Sequence, residues 1–153
     1  MKMDAASHQS VYLQHRKPHV NAASQALNFA STCLRLRGDA TVEQLPIDDS
    51  FWQRLMGGQL GGFHKEFLIT RIAFDADWSS WEMHPSGDEI VCLLSGAVTF
   101  LLEGGSGIHP HSLTAVDDYL VVPKGTWHTA KTQRSSRMLF ITPGEGTQHR
   151  PTK

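Results

Sequence analysis

An all-β fold follows from three features of the chain. From residue 66 onward, short apolar-alternating segments recur, each bounded by turn residues. Turn signals fall at Asp75–Asp77, Pro85–Gly87, Ser95-Gly96, Glu103–Gly107, Asp117-Asp118, Pro123–Gly125 and Pro143-Gly144. No segment of helical period alternates with these strands, which argues against a parallel α/β sheet. Many short strands at such spacing build a sandwich or a small barrel.

In chain order, residues 1–20 are polar, carry three histidines and Pro18, and show no steady period, so they read as a loose tail. Asn21–Arg37 admits two readings. Leu27, Ala30 and Leu34 fit one helical face, with Asn21 able to cap and Gly38 able to terminate. Leu34 and Leu36 also alternate with Arg35 and Arg37, which predicts a strand turning at Gly38-Asp39 into Thr41–Leu45, and the second half is read that way. Asp48-Asp49-Ser50 ahead of Phe51–Leu55 predicts a short capped helix, after which Gly57-Gly58 and Gly61-Gly62 break the chain. The remaining strands are expected at Glu66–Phe74, Ser79–His84, Asp88–Leu94, Ala97–Leu102, Ser112–Ala115, Tyr119–Val122, Thr126–Ala130 and Arg137–Thr142. There is no internal repeat and no second domain. The expected organisation is an irregular or partly helical N-terminal extension over residues 1–40, one barrel over 41–146 and a C-terminal tail over 147–153.

A length of 153 residues is enough for one domain with a real core. A net charge of −1 and a pI near 6.7 give no support for nucleic acid or an anionic membrane as partner. The first twenty residues hold no apolar signal core, and no run is long enough to span a bilayer, so a cytoplasmic protein is expected. Cys33 and Cys92 make no disulfide framework, and Cys92, inside an apolar run, reads as a small buried hydrophobe. Of nine histidines, His8, His15, His19 and His149 sit in polar terminal stretches and read as solvated.

Two strings carry the chemistry. Residues 81–96 read Trp-Glu-Met-His-Pro-Ser-Gly-Asp-Glu-Ile-Val-Cys-Leu-Leu-Ser-Gly. Glu82 and His84 are two apart in a strand, so they share a face, with Trp81 and Met83 on the other. Pro85 and Gly87 suit a turn that begins at His84. The returning chain brings Glu89 to the same face, followed by Val91 and Leu93. The second string repeats the device, with Tyr119–Val122, a Pro123-Lys124-Gly125 turn and His128. Glu82, His84, Glu89 and His128 are therefore candidate metal ligands. Imidazole plus carboxylate suits Fe, Mn, Ni or Zn better than a thiolate-seeking metal.

Weaker signals surround these strings. Trp78, Trp81, Trp127 and Phe100 are able to line a pocket, but parity turns Trp81 and Trp127 outward, towards packing or a dimer contact. Asp88 reads as a turn residue, and Arg71 and Lys131 as a solvated strand face. Gly104-Gly105-Ser106-Gly107 follows a strand but opens no helix, so it reads as a hairpin loop rather than a phosphate loop.

Together the strings resemble the two motifs of the cupin superfamily, with motif cores at 81–96 and 117–132 and a likeness covering about residues 66–142. The resemblance implies a double-stranded β-helix, or jelly-roll barrel, holding one divalent transition metal. His84, Glu89 and His128 match the family's ligands. Glu82 stands where the family usually has His, Asp117 where it has Gly, and Thr132 where it often has Asn. Glu82 has three readings: a fourth ligand, a free carboxylate serving as general base, or, in a site without metal, a partner with Glu89 to charged His84 and His128. Fold alone does not select a function. The resemblance admits a dioxygenase, isomerase or lyase acting on a small organic acid, sugar or phenolic compound. It also admits a non-catalytic binder of a small ligand or a structural metal. A homodimer is implied. A DNA-binding regulator is disfavoured, because no helix-turn-helix with a basic face precedes the barrel.

Overall fold

The computed structural model describes residues 26–153. The expected loose tail, the Asn21 cap and His8, His15 and His19 lie outside the described residues. Apolar alternation punctuated by turns makes the described chain a succession of short strands. β1 (Thr32–Leu36) and β2 (Val42–Pro46) form a hairpin, and α1 (Phe51–Met56) comes next. The chain then runs through β3 (Phe67–Phe74), β4 (Ser80–Met83), β5 (Glu89–Ser95), β6 (Val98–Gly104), β7 (Gly107–Leu113), β8 (Tyr119–Val122), β9 (His128–Thr132), β10 (Ser136–Pro143) and β11 (Gln148–Pro151).

The strands form two antiparallel sheets. One has the order β2-β1-β3-β10-β5-β8 and the other β11-β4-β9-β6-β7. Period-two side chains from both sheets meet between them. Val91, Leu93, Met138 and Phe140 come from the first sheet, and Val98 and Phe100 from the second. A second cluster of Cys33, Phe51, Phe63 and Leu68 packs α1 and the following loop against the β1–β3 end. Burial pushes the Cys33 thiol up to about 11, so it is inert at neutral pH.

Two glycines are required by geometry. Gly96, which closes the first motif, has φ of +91°, and a Cβ there would lie 2.2 Å from Ser136 Oγ. Gly125 turns the second motif at φ +75°. Asp117, in the place of a family glycine, also adopts positive φ, at 72°, which Asp tolerates better than most residues.

Of the two readings of 21–37, the strand chosen for the second half is the one that forms: from Thr32 the segment joins the sheet, with Leu34 paired to Ile69 of β3. Several expectations are corrected. The boundary expected at residue 40 consequently falls inside the β1–β2 hairpin. The strand expected from Ser112 begins at Gly107. Pro110, which has no N–H to donate, is tolerated because β7 is an edge strand paired only with β6. The expected tail at 147–153 contains β11, paired with β4. Cys92, between buried Val91 and Leu93, faces outward and is partly exposed. The helix after Asp48 forms, but Ser50 makes no side-chain cap; instead Asp48 Oδ1 accepts the Ser50 N–H at 2.9 Å.

Candidate metal centre

β4 ends at Met83, and the turn after it carries His84 into the barrel. Glu89 opens β5 and His128 opens β9. The two motif turns are tied together. Gly125 N–H donates to His84 O at 2.9 Å, and Lys124 N–H donates to Asp88 Oδ1 at 2.8 Å. Asp88 is therefore more than a turn residue: it fixes the second motif against the first.

Three of the four residues named from sequence, Glu82, His84 and His128, come together between the sheets, and the fourth, Glu89, lies against both histidines. One ligand atom each from Glu82, His84 and His128 lie within 4.8 Å of one another. Glu89 Oε1 is 3.4 Å from His84 Nε2, and Glu89 Oε2 is 3.0 Å from His128 Nε2. His84, Glu89 and His128 are 3%, 2% and 0% exposed, whereas the Glu82 side chain is 27% exposed, so Glu82 marks the solvent side.

Each of the four has an outer partner. His128 Nδ1 is 3.1 Å from Thr126 O, a pure acceptor, so this nitrogen carries the hydrogen and a neutral ring directs the Nε2 lone pair inward. His84 Nδ1 is 3.0 Å from Thr147 Oγ1. The Thr142 hydroxyl donates to Glu89 Oε1 at 2.6 Å. His149 Nε2 is 3.2 Å from Glu82 Oε1. Inside the cluster the contacts are close but not aligned as hydrogen bonds. His84 Nε2, His128 Nε2 and Glu89 Oε2 are buried with no hydrogen-bond partner among the described residues. Buried polar atoms without partners are costly. Three of them converging from His, His and Glu fit a shared cation, and ligating histidines characteristically engage a hydroxyl, carbonyl or carboxylate through the other ring nitrogen.

The electrostatics of the bare cluster are those of a coupled set. Burial pushes the Glu89 carboxyl up, but His128 and His84 beside it outweigh burial and hold it down at about 2. Burial lowers the His128 pKa, but contact with Glu89 outweighs that and raises it.

Both motif strings thus form facing strand–turn–strand units whose imidazoles and carboxylates converge inside one two-sheet barrel. The fold is a cupin jelly roll. Its own topology and motif placement carry that assignment. Solved structures with a likeness to the chain include a cupin-2 domain protein from Shewanella frigidimarina, at 17% identity and TM-score 0.44, covering 50% of this chain and 70% of that one. A hydroquinone 1,2-dioxygenase from a Sphingomonas species, bound to 4-hydroxybenzoate, has 15% identity and TM-score 0.45, covering 53% and 61%. A recombinant oxalate oxidase in complex with glycolate has 16% identity and TM-score 0.46, covering 54% and 45%. The likeness to the dioxygenase and the oxidase covers less than two thirds of their length. No protein-family model and no curated protein matches the chain.

Phe100 and Trp78 are packing residues rather than a pocket lining. Phe100 is core, and Trp78 packs beside it and Phe140, with ring centroids 5.8 Å from each, so both fill the barrel next to His128. Trp81 and Trp127 face outward, but not onto open apolar surface: the Arg150 guanidinium lies 5.2 Å from one ring and 4.4 Å from the other. Lys131 pairs with Asp77 at 3.3 Å. The Gly104–Gly107 segment is a tight hairpin turn, with Gly104 opposite Gly107. His149 is exposed, as expected, but it lies in a strand and its Nε2 faces Glu82. It was hidden because Gln148-His149-Arg150-Pro151 has no apolar alternation. Thr126, Thr142 and Thr147 were equally illegible, because only the folded chain brings them to the cluster.

Proposed function

We propose that this cupin holds one divalent transition metal, drawn from Fe, Mn, Ni and Zn, through His84, Glu89, His128 and Glu82. With that metal it binds or transforms a small organic acid, sugar or phenolic compound. One observation carries the reading: all four groups have an outer partner, while the buried atoms facing inward lack one. A bound metal would supply Lewis acidity to a ligand oxygen. Two carboxylates offset the charge of a dication, which favours Mn or Fe over copper and weakens attraction for anions. Glu82, the most exposed of the four, stands where a small molecule would enter. There it serves as ligand or as general base. Trp78 and Phe100 exclude water from the opposite side of His128.

Elemental analysis of protein produced with Mn, Fe, Ni and Zn present is the deciding measurement. One metal per chain is expected, and His84→Ala should lose it. A wild-type protein free of metal, or a His84→Ala protein that is fully loaded, would contradict the reading. A metal-free outcome would favour the alternative, a non-catalytic barrel in which Glu89 binds charged His128 across 3.0 Å.

A further inference from the structure

β11 is an edge strand of four residues, yet it places a histidine at the site. In the second sheet Glu82 is opposite both His128 and His149, so the three side chains lie in one row on one face. The strand is fastened from the other face. Arg150, the next residue, inserts its guanidinium between Trp81 and Trp127 and pairs with Glu103. That stack fixes the register of β11 and with it the position of His149.

Building on the metal reading, we propose that His149 is a positioning residue for Glu82. It donates an N–H to one carboxylate oxygen and so holds the side chain in the barrel with its other oxygen available to the metal. Glu82 needs such a device more than Glu89 does. Glu89 is buried and anchored by Thr142, whereas Glu82 is a flexible, partly exposed side chain that water would otherwise draw outward. Where the family resemblance leads one to expect a single imidazole at position 82, this chain has a carboxylate with an imidazole behind it. Loss of such an outer partner typically weakens metal binding by about 10–100-fold.

Co(II) is the probe, followed by its visible absorption and by competition with a chelator. Wild-type protein should bind one equivalent. His149→Phe, which retains a ring but has no donor, should bind about tenfold more weakly or worse and show an altered cobalt spectrum. His149→Gln retains an N–H donor and should recover most of the affinity. In a Glu82→Gln background, His149→Phe should cause little further loss, because the two residues act through one contact. Wild-type affinity and spectrum in His149→Phe would overturn the inference alone. So would an undiminished effect of that substitution in the Glu82→Gln background, or complete loss of cobalt in both His149 variants, which would make the ring itself a ligand. No cobalt in the wild type would overturn the metal reading and this inference with it.

Discussion

Protonation of Glu89 and His128 sets how the barrel responds to pH. The Glu89 carboxyl is held below its usual 4.5, at about 2, so its contribution to stability is present above pH 4.5 and is lost as pH falls through about 2. His128 is raised above its usual 6.5, so its contribution is complete below pH 6.5 and is lost as pH rises through the higher folded value. The metal-free protein should therefore be most stable between pH 4.5 and 6.5 and should weaken towards alkaline pH. Metal binding has the opposite dependence, because it requires neutral imidazoles and releases their protons. The rise in melting temperature on adding Mn(II) should accordingly grow with pH. Thermal melts with and without Mn(II) across this range check both signs. A metal-free protein that becomes steadily more stable above pH 6.5 would contradict the Glu89–His128 coupling.

The elements divide sharply in how far the sequence reveals them. β3, β5, β6 and β10 are runs of seven or eight residues, rich in apolar and β-branched side chains and bounded by turns, so their existence follows from composition and turns alone. β11 has four largely polar residues and owes its existence to β4. The same division runs through the site. Glu82, His84, Glu89 and His128 were legible because strand parity and two turns constrain them locally. His149, Thr126, Thr142 and Thr147 are placed by tertiary pairing, which leaves no local period to read. This predicts where β11 is vulnerable. Arg150→Ala removes a guanidinium stacked between two indoles and should cost about 1–2 kcal/mol. The partly exposed pair with Glu103 should add little. Arg150→Lys should recover only part, because a compact ammonium cannot stack on both rings. Thermal unfolding measures the loss, and a wild-type melting temperature in Arg150→Ala would show that the stack does not hold β11.

For the whole molecule, the question is which surface a second copy would cover. The expected homodimer does not draw on outward Trp81 and Trp127, because Arg150 of the same chain lies over them. The outer face of the six-stranded sheet takes their place. Register sets Val121, Ile90, Ile141, Ile69 and Leu34 side by side across five strands, with Tyr119, Cys92, Leu139 and Arg71 in the next row. Tyr119, Val121 and Ile90 are 69%, 43% and 38% exposed. Arg71 Nε is buried in this face without a hydrogen-bond partner among the described residues. Five strands of four to eight residues, about 4.8 Å apart and about 20 Å long on average, give a largely apolar face on the order of 500 Å². That is at the upper end of what a lone soluble domain exposes. It approaches the roughly 800 Å² that each partner contributes to a stable interface. A twofold pair of such faces would bury the row and give Arg71 an acceptor from the other copy. Sedimentation equilibrium at micromolar concentration should show a dimer, and Val121→Glu should yield a folded monomer with unchanged metal content, since Val121 faces away from the barrel. A monomeric wild type, or a Val121→Glu protein that remains dimeric, would place the contact elsewhere or remove it.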